Sequence, residues 1–310
     1  MGDPMAVWRE NVAGQIGGDA AYPDRIMAAT YRNGWSTPVT AVDNIPGLDS
    51  LAVDYGAGRA TIAYTQLVTP TGSITPTDQL FTSAWNGRAW AAPVQQTNDV
   101  VGQYSPQVVY NKSNQPLIIW LSGSNLRLRN LSTGSDVGLG LPVSLGTVDE
   151  FHVVQDGSGN IAAVFTAQAA QRDLYVAYYD QAHNLWGNPV RLTNDTASKA
   201  YPTAALDNTG RLLAAYAATA LAPVTNTATL STGEMVTYTV PSPRETDLVT
   251  LARTFVKNLT LTDADVALSD DHPARGRPSP SPLPFTTRAT CPSTTSRSAS
   301  TTAIPRRAGP

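Results

Sequence analysis

Lysine, cysteine, charge and long apolar runs are all scarce in this 310-residue chain. The one cysteine, Cys291, permits neither an internal disulfide nor a cysteine-based metal site. No apolar run approaches the ~18–20 residues of a membrane span, and no basic-then-apolar leader opens the chain, so no membrane insertion is expected. Charged residues make up 15%, against about 25% in an average globular protein. A net charge of −3 supplies no concentrated basic face, so no nucleic-acid partner is expected. The basic residues are 18 Arg and only 3 Lys (Lys112, Lys199, Lys257), which points to a GC-rich gene, since Arg codons are GC-rich and Lys codons AT-rich. The three histidines fall on a strand (His152), a turn (His183) and the tail (His272), without metal-ligand spacing. There is no Gly-rich phosphate loop and no Gly-x-Ser-x-Gly elbow. No cofactor, metal or catalytic motif emerges.

What the chain does contain is repetition. Trp-x-x-Pro-Val occurs at Trp35–Val39, Trp90–Val94 and Trp186–Val190, with a worn copy at Leu139–Val143; the anchors are 55, 49 and 47 residues apart. A second motif is a polar turn followed by a short apolar strand ending in an aromatic. Its clearest copy runs from Asp207 through Gly210 to Tyr216, and others end at Tyr64, Trp120 and Phe165. The opening residues through Trp8 match its second half, which spaces the aromatics by 56, 56, 45 and 51 residues. Two landmarks alternating at one period make chance a poor explanation.

Each unit reads as β. Segments such as Phe151–Gln155 and Asn160–Phe165 are short, apolar and separated by Asp/Gly/Ser/Asn turns. The Gly of each Asp-x-x-Gly turn supplies the positive φ that a tight hairpin needs. A third strand at Asp173–Tyr179 follows, then a fourth stretch holding Trp186 and Pro189. Pro38, Pro93 and Pro189 suit edge strands, where a missing N–H breaks no ladder. Four strands per roughly fifty residues is the arithmetic of a β-propeller blade. The predicted class is therefore all-β: a partial propeller of about four to five four-stranded blades over residues 1–260. Trp35, Trp90 and Trp186 read as packing residues rather than ligand platforms, and the loops at Asp156 and Asp207 as hairpin turns rather than Ca²⁺ sites.

Both ends depart from the repeat. The first unit opens on the outgoing strand of its hairpin, so its incoming strand is expected upstream of Met1. From His272 to Pro310 there is no acidic residue, but six Arg, eight Pro and thirteen Ser or Thr. One reading of this tail is a disordered linker. The favoured one is a coding sequence read out of frame: codons for Arg277–Cys291, shifted by one base, can spell Ala-Thr-Val-Thr-Val-Thr-Ala-Thr-Val-His-Asn-Thr-Gly-Asp-Leu, which alternates as a strand should.

Val266–Pro273 followed by that restored text resembles the cell-adhesion-related domain found in bacteria. The resemblance implies a truncated immunoglobulin-like sandwich over residues 261–310, in a secreted or surface protein. The repeats resemble sialidase-type and related bacterial propellers in architecture. Within the enzymes of that group, the resemblance implies an arginine cluster and a Tyr nucleophile with an acidic partner. Arg25, Arg59 and Tyr201 are available for those parts, but no motif selects them, and the turns at Asp156 and Asp207 lack the Ser-x-Asp-x-Gly-x-x-Trp pattern. The expectation is thus a non-catalytic binding or scaffolding fragment at the cell surface or outside it, whose loops contact carbohydrate or protein. The alternatives are a secreted sialidase-like glycoside hydrolase and a decayed gene product.

Overall fold

The computed structural model describes residues 4–56, 58–168 and 171–254. The described residues form five antiparallel sheets in chain order. The first holds β1 (Met5–Asn11), β2 (Asp24–Thr30) and β3 (Val39–Ile45). The second holds β4 (Leu48–Gly56), β5 (Arg59–Val68), β6 (Thr77–Trp85) and β7 (Val94–Gln95). The third holds β8 (Gln103–Tyr110), β9 (Pro116–Ser122), β10 (Asn125–Asn130) and β11 (Asp136–Gly138). In the fourth, β12 (Thr147–Gln155), β13 (Ile161–Gln168) and β14 (Arg172–Asp180) are flanked by β15 (Leu185–Trp186) and β16 (Val190–Arg191), both paired with β14. The fifth holds β17 (Ser198–Leu206), β18 (Arg211–Thr229) and β19 (Met235–Thr254). Successive sheets stack face to face, with the leading strands β4, β8, β12 and β17 beside one another, as in the blades of a β-propeller.

The middle strands explain why a single unit cannot fold alone. All of Ile161–Phe165 in β13 is 0% exposed. Side chains alternate across a strand, so Ile161, Ala163 and Phe165 join the core shared with the third sheet, while Ala162 and Val164 join the core shared with the fifth. Both faces of the sheet are covered only because it has two neighbours. Burial of each such large side chain is worth about 1.5–3 kcal/mol, so the stability sits between the sheets. The recurring aromatics Tyr64, Trp120, Phe165 and Tyr216 all turn toward the preceding sheet.

Each Trp-x-x-Pro-Val tryptophan packs on an aromatic at or near the end of the strand before it: Tyr31 just past β2, Trp85 at the end of β6 and Tyr179 near the end of β14. Ring centroids are 5.5 Å apart for Tyr31 and Trp35, 5.6 Å for Trp85 and Trp90, and 5.5 Å for Tyr179 and Trp186. Trp186 enters the core with the third sheet and is 8% exposed. Trp35 stands on the first sheet, which has no sheet before it among the described residues, and is 58% exposed. Leu139, in the worn copy, substitutes for tryptophan inside the same core as Trp186.

The hairpin turns repeat atom for atom. The side-chain Oδ1 of Asn111 accepts the N–H groups of Ser113 and Gln115, that of Asp156 those of Ser158 and Asn160, and that of Asp207 those of Thr209 and Arg211. The fourth position is left-handed in each: Asn114 (φ 54°), Gly159 (φ 76°) and Gly210 (φ 82°). These turns share one end of the molecule, the turn face. The opposite end, the loop face, carries the segments that lead into β8 and β17 and the links from β5 to β6 and from β9 to β10.

Two features shape the loop face. Each leading strand from β4 to β17 carries a bulge, at Leu48/Leu51, Tyr104/Gln107, Val148/Glu150 and Ala200/Thr203. The outer halves of β18 and β19 form a long ribbon, paired from Leu221↔Pro243 out to Thr229↔Met235. The sequence includes this stretch in the propeller span of residues 1–260 without marking its individual strands.

Candidate functional site

The loop face holds a cleft of about 190 Å³ between the second and third sheets. Its rim is the segment Gln96–Asp99, leading into β8; its floor is Gln103 and Trp120; its far wall is Arg127 and Arg129 of β10 with Asp136 of β11. The alternation of β10 puts Leu126 and Leu128 in the core and leaves both arginines on the cleft side.

Asp136 holds the two arginines in register. Its Oδ1 accepts from Arg127 Nε at 3.0 Å and Nη2 at 2.6 Å; its Oδ2 accepts from Arg129 Nε at 3.2 Å and Nη2 at 2.7 Å. Arg129 also donates to the Gln96 carbonyl, with its Cζ 5.8 Å from the centroid of the Trp120 ring. Trp120 donates its indole N–H to Gln103 Oε1 at 2.6 Å, and Gln103 Nε2 donates to Asp99 Oδ1 at 3.1 Å. Gln79 of the second sheet clamps Asp99 from behind, donating to its carbonyl at 2.8 Å and accepting its N–H at 3.2 Å. Two guanidiniums and two carboxylates therefore balance in a cleft walled by amides and hydroxyls.

The segment that builds this rim is repeated, a signal the sequence reading missed. Thr97-Asn98-Asp99 and Thr193-Asn194-Asp195 each stand four residues before a buried anchor, Gln103 in one and Lys199 in the other. Lys199 Nζ donates to the Asp195 carboxylate and the Ala197 carbonyl, where Gln103 Nε2 donates to Asp99 and the Val101 carbonyl. Thr97 and Thr193 each accept a backbone N–H of the preceding sheet, from Leu80 and Leu174, both at 2.9 Å. Ser105 (φ 50°) and Tyr201 (φ 52°), each followed by proline, share the left-handed bulge position.

A second polar group on the loop face lies between the fourth and fifth sheets. Arg172 reaches Asp149 Oδ2 at 3.0 Å and Glu150 Oε1 at 3.6 Å, and Glu150 accepts the backbone N–H of Tyr201 through its other oxygen. The turn face has a wider groove of about 550 Å³ between the Asn111 and Asp156 turns. The Oδ1 atoms bordering it are committed to turn N–H groups and no arginine lines it, so the paired guanidiniums of Arg127 and Arg129 single out the loop-face cleft.

Arg25, Arg59 and Tyr201 do not form a cluster. Arg25 pairs with Glu10 at 3.2 Å on the first sheet, Arg59 opens β5 at the turn face, and Tyr201 lies in β17 at the loop face. The contact of Tyr201 with Glu150 is made by its backbone. His152 accepts the Ala204 N–H at 3.2 Å, and burial holds its imidazole below the ordinary range. His183 lies 2.7 Å from Asp180, which this bond pulls below the usual carboxylate range. His272 and Cys291 fall outside the described residues. Among the described residues, no group of three His, Cys, Asp or Glu could hold a metal, and no helix is long and apolar enough to cross a membrane.

No family model and no curated protein matches the chain. Among solved structures, it is similar to a Dyadobacter fermentans protein of unknown function, with 9% identity over 76% of this chain and 75% of that one (TM-score 0.46). It is also similar to the NanB sialidase of Streptococcus pneumoniae, with 10% identity, TM-score 0.46 and 72% of this chain covered, though it spans only 57% of that enzyme. A polysaccharide lyase of family PL25, an ulvan lyase, aligns at 10% identity over 81% of this chain and 68% of the lyase, with TM-score 0.44. The propeller assignment rests on the sheets, registers and cores described above.

Proposed function

We propose that the protein is a non-catalytic, carbohydrate-binding propeller that holds neutral glycans in the loop-face cleft. One observation carries this: both oxygens of Asp136 are spent on Arg127 and Arg129, which fixes two planar donors beside amide and hydroxyl groups in a charge-balanced cleft. Neighbouring sugar hydroxyls need planar, rigid donors and acceptors of this kind. An anionic ligand would want an uncompensated cation, and an apolar one would strand the polar walls. Glycoside cleavage asks for two carboxyl groups facing each other across the bond, one of them able to give up a proton. Here Asp136 is held between guanidiniums, and Asp99 Oδ1 accepts from the Val101 N–H and Gln103.

The surface or extracellular setting belongs to the same proposal, as does the division into a propeller over residues 1–260 and an adhesion-type module over 261–310. Both rest on the resemblances given above, and the second part lies outside the described residues. The rival reading, a sialidase-like hydrolase, has in its favour the Asp149, Glu150 and Arg172 group on the same face.

A glycan array spanning neutral and acidic oligosaccharides, run beside fluorogenic glycosides, separates the two. Expected are retention of neutral glycans, loss of that retention in Arg127→Ala, and no fluorophore release. Release of fluorophore that Glu150→Gln abolishes would select the hydrolase instead.

A further inference from the structure

Tyr201 breaks a steric rule that its surroundings enforce. A non-glycine residue at φ 52° is uncommon, and for a bulky side chain it is an outlier that persists only where neighbours over-determine it. The equivalent residue of the third sheet, Ser105 at φ 50°, shows that the conformation belongs to the repeat. A small polar side chain satisfies that geometry in the third sheet. The fifth sheet instead carries a tyrosine that is 76% exposed, so packing does not account for the choice.

The clamp on Tyr201 is built from the sheet before it. Its N–H donates to Glu150 Oε2, Glu150 Oε1 stands 3.6 Å from Arg172 Nη2, and Arg172 Nε stands 3.0 Å from Asp149 Oδ2. The bulge in β12 between Val148 and Glu150 presents these two consecutive carboxylates, and the bulge in β17 between Ala200 and Thr203 presents the tyrosine. Two bulges in adjacent leading strands thus bring one aromatic residue and two carboxylates to the loop face, where Arg172, at the start of β14, meets the carboxylates.

We infer that Tyr201 is a stacking platform for a neutral pyranose ring, with Asp149, Glu150 and Arg172 as the polar groups that receive its hydroxyls. This rests on the glycan-binding reading of the loop face and adds to it a second contact point and a ligand charge. A tyrosine offers a flat apolar face that packs against the C–H side of a sugar ring while the carboxylates and the guanidinium accept from and donate to hydroxyls. Two carboxylates against one guanidinium leave one negative charge in excess, which disfavours carboxylated sugars. A protein partner would call for an apolar centre around the aromatic anchor; here the residues fixing Tyr201 are charged.

The test is titration calorimetry on the full chain with gluco-, manno- and galacto-configured neutral tetrasaccharides and with sialyllactose. The variants are Tyr201→Phe, Tyr201→Gly and Arg127→Ala. For the tightest neutral ligand, Tyr201→Gly is expected to bind roughly tenfold more weakly, while Tyr201→Phe keeps its affinity. The melting temperature of Tyr201→Gly is expected to stay level or rise, because glycine tolerates the left-handed backbone, which a merely structural tyrosine would not allow. Unchanged affinity in Tyr201→Gly, with Arg127→Ala weakened, overturns the platform and leaves the cleft reading standing. Failure of the wild type to bind any neutral tetrasaccharide overturns both, and tighter binding of sialyllactose overturns the charge selection.

Discussion

Trp120 and Gln103 join the core to the cleft through one hydrogen bond. The indole N–H of a ring only 1% exposed donates to Gln103 Oε1 at 2.6 Å, and the amide nitrogen of Gln103 ties down the segment that forms the rim. Gln103→Met keeps the volume but leaves the buried indole N–H without an acceptor, at a cost of about 1–3 kcal/mol. Urea unfolding is expected to show that loss, together with weaker glycan retention because the Asp99 segment is untied. Lys199→Gln, which installs the amide of the third sheet in the fifth, is expected to be far milder by the same measurement.

The tryptophans of one sequence motif should differ sharply in energetic weight. Trp186→Ala opens a cavity between the third and fourth sheets and is expected to cost about 3–5 kcal/mol. Trp35→Ala removes a ring that is 58% exposed and should change stability by no more than about 1 kcal/mol. Equal losses in thermal unfolding would mean that the first sheet is covered in solution.

The turn carboxylate of Asp156 accepts two backbone N–H groups and the Asn160 amide. Asp156→Ala is expected to destabilise by about 1–3 kcal/mol, since those donors lose their partner at a tight turn. Gly159→Ala should be costly for a separate reason: a Cβ there would stand 2.6 Å from Lys112 Cγ, at φ 76°. Differential scanning calorimetry of both variants checks these losses, and neither should alter glycan retention if the site is on the other face.

Mild acid should loosen the joint between the fourth and fifth sheets. Burial depresses the His152 imidazole, and its Nδ1 accepts the Ala204 N–H at 3.2 Å, which only an unprotonated nitrogen can do. A base whose folded value is lowered contributes stability that is present above its unfolded value near 6.5 and lost as pH falls through the folded value. Denaturation midpoints should therefore drop below about pH 6.5 in the wild type and stay flatter in His152→Gln. Asp24 acts in a lower window: burial raises its carboxyl, but Arg9, Asn11 and the Leu48 N–H outweigh that and hold it below the usual range.

The sheets were legible because packing repeats in sequence. Trp90 and Trp186 mark the third-strand aromatic they meet, and the Asp156 and Asp207 turns announce hairpins by chemistry local to five residues. The cleft was not legible, because Gln96, Gln103, Arg129 and Asp136 converge only once two sheets stack. Its nearest sequence trace, the paired Thr-Asn-Asp at 97–99 and 193–195, lies in connecting segments with no hydrophobic period to draw attention. The ribbon formed by the outer halves of β18 and β19 escaped for a related reason. Thr237 and Thr239 alternate with Val236, Tyr238 and Val240, but the ribbon remains largely exposed, so burial gave no signal.

Backbone amide chemical-shift mapping with the tightest neutral tetrasaccharide tests the central claim most directly. Perturbations are predicted at residues 96–103 and 122–136, with a second group at 149–150 and 200–203. Shifts confined to the turns at 111–115 and 156–160, or none at saturating glycan, would contradict a glycan site on the loop face.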